Sequence, residues 1–121
     1  MFLDERFFPN YAVMNVAHAA GAVAPVMTNR QGTIPEGAWT YSAPGLYLYT
    51  VATGPFISGK TFFASMNGDD DVTGNPDSPP FSFLGLRVSA TVVSLSMIDA
   101  GNTDRSDAVW SGLSFWIVVF K

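Results

Sequence analysis

The sequence has no cysteine and a single histidine, His18. The first absence excludes a disulfide framework and a thiolate zinc site. The second excludes a multi-histidine metal centre within one chain. Charge is also scarce. Asp, Glu, Lys and Arg make up 13% of the 121 residues, about half the ~25% of an ordinary soluble domain. Six basic groups stand against ten acidic ones, for a formal net charge of −4. That balance offers no basic patch to a phosphate backbone, so no nucleic-acid partner is expected. No run of 18 apolar residues is free of polar interruption, so no transmembrane helix and no membrane partner are expected. The opening Met1-Phe2-Leu3-Asp4-Glu5-Arg6 lacks the basic-then-apolar order of a secretory signal, and none is expected. Helical periodicity is missing as well, because eleven Gly and eight Pro interrupt any 3.6-residue stripe.

Apolar content, at 48%, is normal. Ser, Thr, Gly, Pro and Asn therefore stand where charges usually do. A chain of 13.0 kDa exposes roughly 6,300 Å² when folded and suits one compact domain. So little charge on that surface has two readings. One is a secreted β-domain with a Ser/Thr exterior. The other is a subunit whose faces meet partners, since interface cores are poor in Lys, Glu and Asp and rich in aromatics and Met.

Extended structure is expected in several places. Residues 38–41 are short and aromatic, and Ser42-Ala43-Pro44-Gly45 reads as a turn. Residues 46–52 and 60–66 follow as β-rich runs. Residues 86–98 read as the longest strand, with a change of phase at Val92-Val93 suggesting a bulge or burial on both faces. The last strand, 109–120, carries Phe115-Trp116-Ile117-Val118-Val119-Phe120, apolar on both faces. Left on a sheet edge it would aggregate, so it is expected to be central in its sheet or covered by another subunit, with Trp116 largely buried. Residues 12–24 are read as extended, although a short helix is compatible with their composition. A final strand at the centre of its sheet is typical of antiparallel sandwiches with Greek-key or jelly-roll wiring.

Candidate chemistry is sparse. Asn67, Asp69 and Asp71 alternate as hard-oxygen calcium ligands do. Val72 and Ser78 occupy the positions where an EF-hand loop needs Gly and Glu, which leaves a solvated turn as the plainer reading. Gly54 followed by Gly59-Lys60-Thr61 matches the P-loop spacing literally. Pro55 removes a backbone donor from the cradle, however, and the residues that follow read as strand, not helix. His18 is the only possible triad histidine, and no Gly-x-Ser-x-Gly elbow occurs. No enzyme and no cofactor are expected. Trp39, Tyr41, Tyr47 and Tyr49 suggest either a stacking platform for sugars or one face of a packed strand.

The segment Gly37-Ala38-Trp39-Thr40-Tyr41-Ser42-Ala43-Pro44-Gly45-Leu46-Tyr47-Leu48-Tyr49 resembles the jelly-roll heads of bacteriophage virion proteins. A tryptophan strand, a small-residue turn and a Tyr/Leu strand are arranged there in the same style. The ending Gly112-Leu113-Ser114-Phe115-Trp116-Ile117-Val118-Val119-Phe120 is similar to the closing strand of such heads. The resemblance covers residues 37–121. It implies a homotrimeric structural module of a virion, without catalytic residues.

These readings combine into one expectation. The fold is all-β, an antiparallel β-sandwich of jelly-roll type, with an N-terminal arm over 1–36 and a head over 37–121. The chain decorates and stabilises a viral capsid as a cement protein at the capsid surface. Its partners are the major capsid protein and other copies of itself. Phe2, Leu3, Arg6, Phe7, Phe8 and Tyr11 would dock the arm, and Trp39, Tyr47 and Tyr49 would form an oligomer or ligand surface. The alternative is a tail-fibre tip or adhesin that binds a host glycan or protein.

Overall fold

Period-two alternation runs through most of the chain and folds it into strands, as a half-buried sheet requires. In the computed structural model, residues 6, 10–19, 21–67, 81–99 and 110–121 are described. They form β1 (Asn10–His18), β2 (Val26–Gly32), β3 (Ala38–Ala43), β4 (Leu46–Thr50), β5 (Thr61–Asn67), β6 (Phe81–Arg87), β7 (Val92–Asp99) and β8 (Trp110–Val119). Two four-stranded antiparallel sheets result, ordered β2-β1-β8-β5 and β3-β4-β7-β6. They pack face to face as a sandwich.

The inner faces make one core. In β8, Leu113, Phe115, Ile117 and Val119 are buried, and β1 adds Ala12, Met14 and Val16. From the other sheet come Tyr47 and Tyr49 of β4 and Val93, Leu95 and Met97 of β7. A chain of aromatic contacts crosses between the layers. Tyr49 meets Trp39 with ring centres 5.1 Å apart, and Trp39 meets Phe115 at 5.9 Å. Phe115 then stacks on Phe63 at 5.9 Å.

The last strand is central, between β1 and β5, as its composition requires. The turn ahead of β4 also falls where expected, with Gly45 at φ 65° and a register shift between Tyr41 and Ala43. A left-handed residue plus a bulge is a common way to close a short hairpin.

Two expectations are corrected. Residues 86–98 are not one strand. The chain reverses between β6 and β7, where Val88 N and Ser89 N both donate to Val92 O at 2.9 and 3.0 Å. Thr91 N donates to Ser89 Oγ at 3.2 Å, a hydroxyl taking the place of the Gly or Pro that usually marks a turn. The phase change at Val92-Val93 is the exit from that turn. Second, residues 10–32 are not part of an arm. They form β1 and β2 of the first sheet, and β1 pairs with β8 along nearly its whole length. The sandwich therefore begins at Asn10 rather than at residue 37. Trp116 is mostly buried, as expected, although not on the inner face. Its neighbours Phe115 and Ile117 take the inward positions, and alternation turns the indole outward.

Candidate functional site

Outward positions follow from the register. On the first sheet, Val13 of β1 lies opposite Trp116 of β8, and Trp116 opposite Ala64 of β5. The next row pairs Asn15 with Ser114, and Ser114 with Met66. Phe62 lies opposite Val118. Beyond β1, the outward row of β2 is Val26, Thr28 and Gln31. On the second sheet the outward rows bring Leu46 and Leu48 of β4 beside Ser96 and Ser94 of β7. Leu84 and Leu86 of β6 flank the same two serines on the other side.

Neither outer face carries a charge. Among the described residues, no Asp, Glu, Lys or Arg occupies an outward strand position. Arg30 of β2 turns to the sandwich edge, where its Nε donates to Tyr49 Oη at 3.3 Å and its Nη2 donates to Ile34 O. Arg87 closes β6 and donates from Nε to Phe56 O at 3.2 Å. Lys60, Lys121 and Glu36 lie in connections or at the chain end, all exposed.

Large apolar groups stand out from both faces. Phe62 and Met66 on the first sheet are each 51% exposed, and Leu84 and Leu86 on the second are 55% and 59% exposed. The Phe62 ring meets Phe120 edge-on, with centres 5.2 Å apart. Trp116 Nε1 donates to Ser114 Oγ at 2.9 Å, which pins the indole along the strand. Scattered apolar residues on a surface are ordinary. A face that pairs exposed apolar groups with no charged residue among those described is less common.

Between β5 and β6 the two sheets leave an open cleft of about 190 Å³. Phe63, Phe83, Phe115, Leu84 and Gly85 are among its lining residues, and none of that lining is charged. Among the described residues, the cleft offers shape and apolar area but no acid, base or nucleophile pair.

The expected site residues fare differently. Tyr47 and Tyr49 are fully buried and Trp39 is 8% exposed, so these rings form core and cannot make a stacking platform or an oligomer surface. Tyr41 is half-buried against Tyr47. Tyr11 is 2% exposed, so it does not line an accessible docking surface, even though register puts it opposite Val118 and outside the central cluster. Arg6 is exposed. Phe2, Leu3, Phe7 and Phe8 lie outside the described residues, as does the 68–77 part of the acidic loop read for calcium. Lys60 precedes strand β5, which is the strand context that set the P-loop match aside. His18 is buried; its Nε2 meets Val23 O at 3.1 Å and its Nδ1 meets Tyr47 Oη at 3.4 Å. A carbonyl only accepts, so Nε2 carries the proton in this clasp.

Sequence reasoning missed Phe62, Ala64, Met66, Leu84 and Leu86 as surface residues. The pattern pointed the wrong way: the outward Phe62, Ala64 and Met66 of β5 and Leu84 and Leu86 of β6 are apolar, whereas the positions between them include Thr61, Ser65 and Gly85. No family model matches the chain, no curated protein matches it, and no solved structure matches it.

Proposed function

We propose that this chain is a non-enzymatic structural protein of a virion, one that decorates the capsid surface and stabilises the shell as a cement protein. The observation that supports it best is the absence of charge from both outer sheet faces, together with half-exposed Phe62, Met66, Leu84 and Leu86. A subunit that spends its life against other subunits needs no solvating shell on those faces. The major capsid protein and further copies of the chain are the partners this reading requires. The resemblance to phage jelly-roll heads adds a trimer as the association state. Three pairings, β1 with β8, β5 with β8 and β4 with β7, join strands far apart in sequence, as wrapped Greek keys do. The adjacent hairpins β1-β2 and β3-β4 are the simpler part of the wiring.

The fibre-tip alternative loses its main sequence support, because Trp39, Tyr47 and Tyr49 are core residues. Quantitative mass spectrometry of purified particles tests the proposal. A cement protein is expected in a copy number comparable to that of the capsid protein. A few tens of copies or fewer would refute it in favour of a tail or fibre location.

A further inference from the structure

Strand β5 is an edge of the first sheet: among the described residues it pairs only with β8. Free edges of soluble sandwiches are normally blunted by bulges, prolines, inward charges or lysines. The other three edges carry a device or are short. β2 has a register shift facing β1, with Asn29 at φ 51° and Arg30 beside it. β3 is six residues long and bulged. β6 follows Pro79-Pro80 and ends on Arg87. β5 carries none of these within the strand, and its one flanking charge is Lys60. The strand pairs with β8 from Thr61 to Asn67 without a shift, and its sequence Thr-Phe-Phe-Ala-Ser-Met-Asn is uncharged.

The strand is also self-complementary about its middle. An antiparallel pairing of two β5 strands centred on Ala64 sets Ala64 against Ala64 on the two-fold axis. Phe62 then lies opposite Met66 on the outer face, a favourable sulfur–aromatic pair. Phe63 lies opposite Ser65, and the polar ends Thr61 and Asn67 meet each other. The smallest side chain falls where the two copies come closest.

Area supports the same contact. Phe62, Ala64, Ser65 and Met66, with Phe120 against Phe62 and Leu84 across the cleft, present roughly 500–600 Å² per chain, taking ~200 Å² for a whole large side chain. Two copies together would bury at most about 1,000–1,200 Å², which reaches the threshold for a specific interface. The cleft between β5 and β6 of each copy would open onto the same seam.

We propose that β5 is a two-fold interface, through which a second copy of this chain extends the first sheet from four strands to eight. This goes beyond the capsid role and stands or falls separately from it. A two-fold contact requires an even number of chains: two, or six if the outer faces also trimerise.

Two variants of the full chain test the interface. Sedimentation at micromolar concentration is expected to give an even multiple of 13.0 kDa. Ala64→Arg, which sets two like charges face to face on the axis, is expected to weaken association by about tenfold or more. The chain has no cysteine, so Ala64→Cys introduces a lone thiol. Directly opposed residues in an antiparallel pair hold their Cα atoms about 4.5–5.5 Å apart, inside the roughly 4.4–6.8 Å that a disulfide spans. Mild oxidation is expected to cross-link Ala64→Cys far faster than Ser58→Cys in the exposed turn before β5. Should Ala64→Arg fail to fold, the cross-linking comparison decides. A monomer or trimer, an unchanged mass in folded Ala64→Arg, or equal cross-linking of the two cysteine variants would each overturn the proposal.

Discussion

A methyl group placed on Gly85 would stand 2.5 Å from Cγ and 2.6 Å from Cβ of Phe63. The two residues belong to different sheets, β6 and β5, and close the sandwich along one side. The atoms in the way are the root of the Phe63 side chain, not its flexible end, so rotation about χ2 cannot relieve the clash. Phe63 in turn stacks on Phe115 in the core. Gly85 is therefore a glycine for space, with no positive φ involved.

The first prediction follows from that pair. Gly85→Ala is expected to destabilise the fold by about 1–3 kcal/mol, the usual range for overpacking. In a Phe63→Gly background, which removes both clashing atoms, the same change is expected to cost much less. A urea-denaturation double-mutant cycle measures the difference. Equal effects in both backgrounds would show that Phe63 is not what excludes a side chain at position 85.

Phe115 and Trp116 are adjacent and face opposite ways. Phe115→Ala empties a site in the centre of the core and is expected to cost about 3–5 kcal/mol. Trp116→Ala removes a larger side chain from a partly exposed outer face. Its expected cost is below that of Phe115→Ala, since part of its area stays in water in the folded chain. Chemical denaturation of the two variants gives the order directly, and a larger loss for Trp116→Ala would invert the assignment of inner and outer faces.

Tyr49 and Trp39 are in ring contact but differ in their polar atoms. Tyr49 Oη accepts from Gly37 N at 2.9 Å and from Arg30 Nε at 3.3 Å, tying the 33–37 link and β2 to β4. Tyr49→Phe leaves those donors short of an acceptor and is expected to cost about 1–3 kcal/mol. Trp39 Nε1 is buried without a hydrogen-bond partner among the described residues. Trp39→Phe discards that unsatisfied donor along with some volume, so its expected cost falls below that of a cavity-forming change of the same size. Thermal melts of both variants, read beside Trp39→Ala, check the contrast.

Truncation separates docking from folding. Strand β1 begins at Asn10, and the central cluster as described begins at Ala12. Removal of residues 1–9 is therefore expected to leave a cooperatively folding chain. If Phe2, Leu3, Phe7 and Phe8 attach the protein to a shell, the truncated chain no longer binds capsids stripped of the native protein. Pelleting with such capsids measures the loss. Undiminished binding would remove the docking role of this segment, whereas removal of residues 1–14 is expected to abolish folding because it takes Ala12 and Met14 from the core.

The fold class was legible because strands with Gly and Pro between them leave few alternatives. The central place of β8 was legible for a related reason: a strand such as Phe115 to Phe120 is soluble only when paired on both edges. The β6–β7 turn was not, because Ser89-Ala90-Thr91 lacks Gly and Pro and makes its turn through a hydroxyl. β2 escaped notice because Thr28, Asn29, Arg30 and Gln31 show no apolar period. That strand is held by pairing with β1 instead of by its own pattern.

Composition alone determined that this is a β-protein with little charge and no cysteine chemistry. It also determined that its surface must be largely uncharged, since there are too few charges to cover it. What only the tertiary structure decided is where the charges are missing. Register assigns each residue of a doubly apolar strand to one face, and a shift of one residue would exchange Phe115 with Trp116 or Phe63 with Phe62. A sequence in which both faces are apolar carries no local mark of inside and outside. That choice was made by the packing of the two sheets, which buried Tyr47, Tyr49 and Phe115 and left Phe62, Met66, Leu84 and Leu86 facing out.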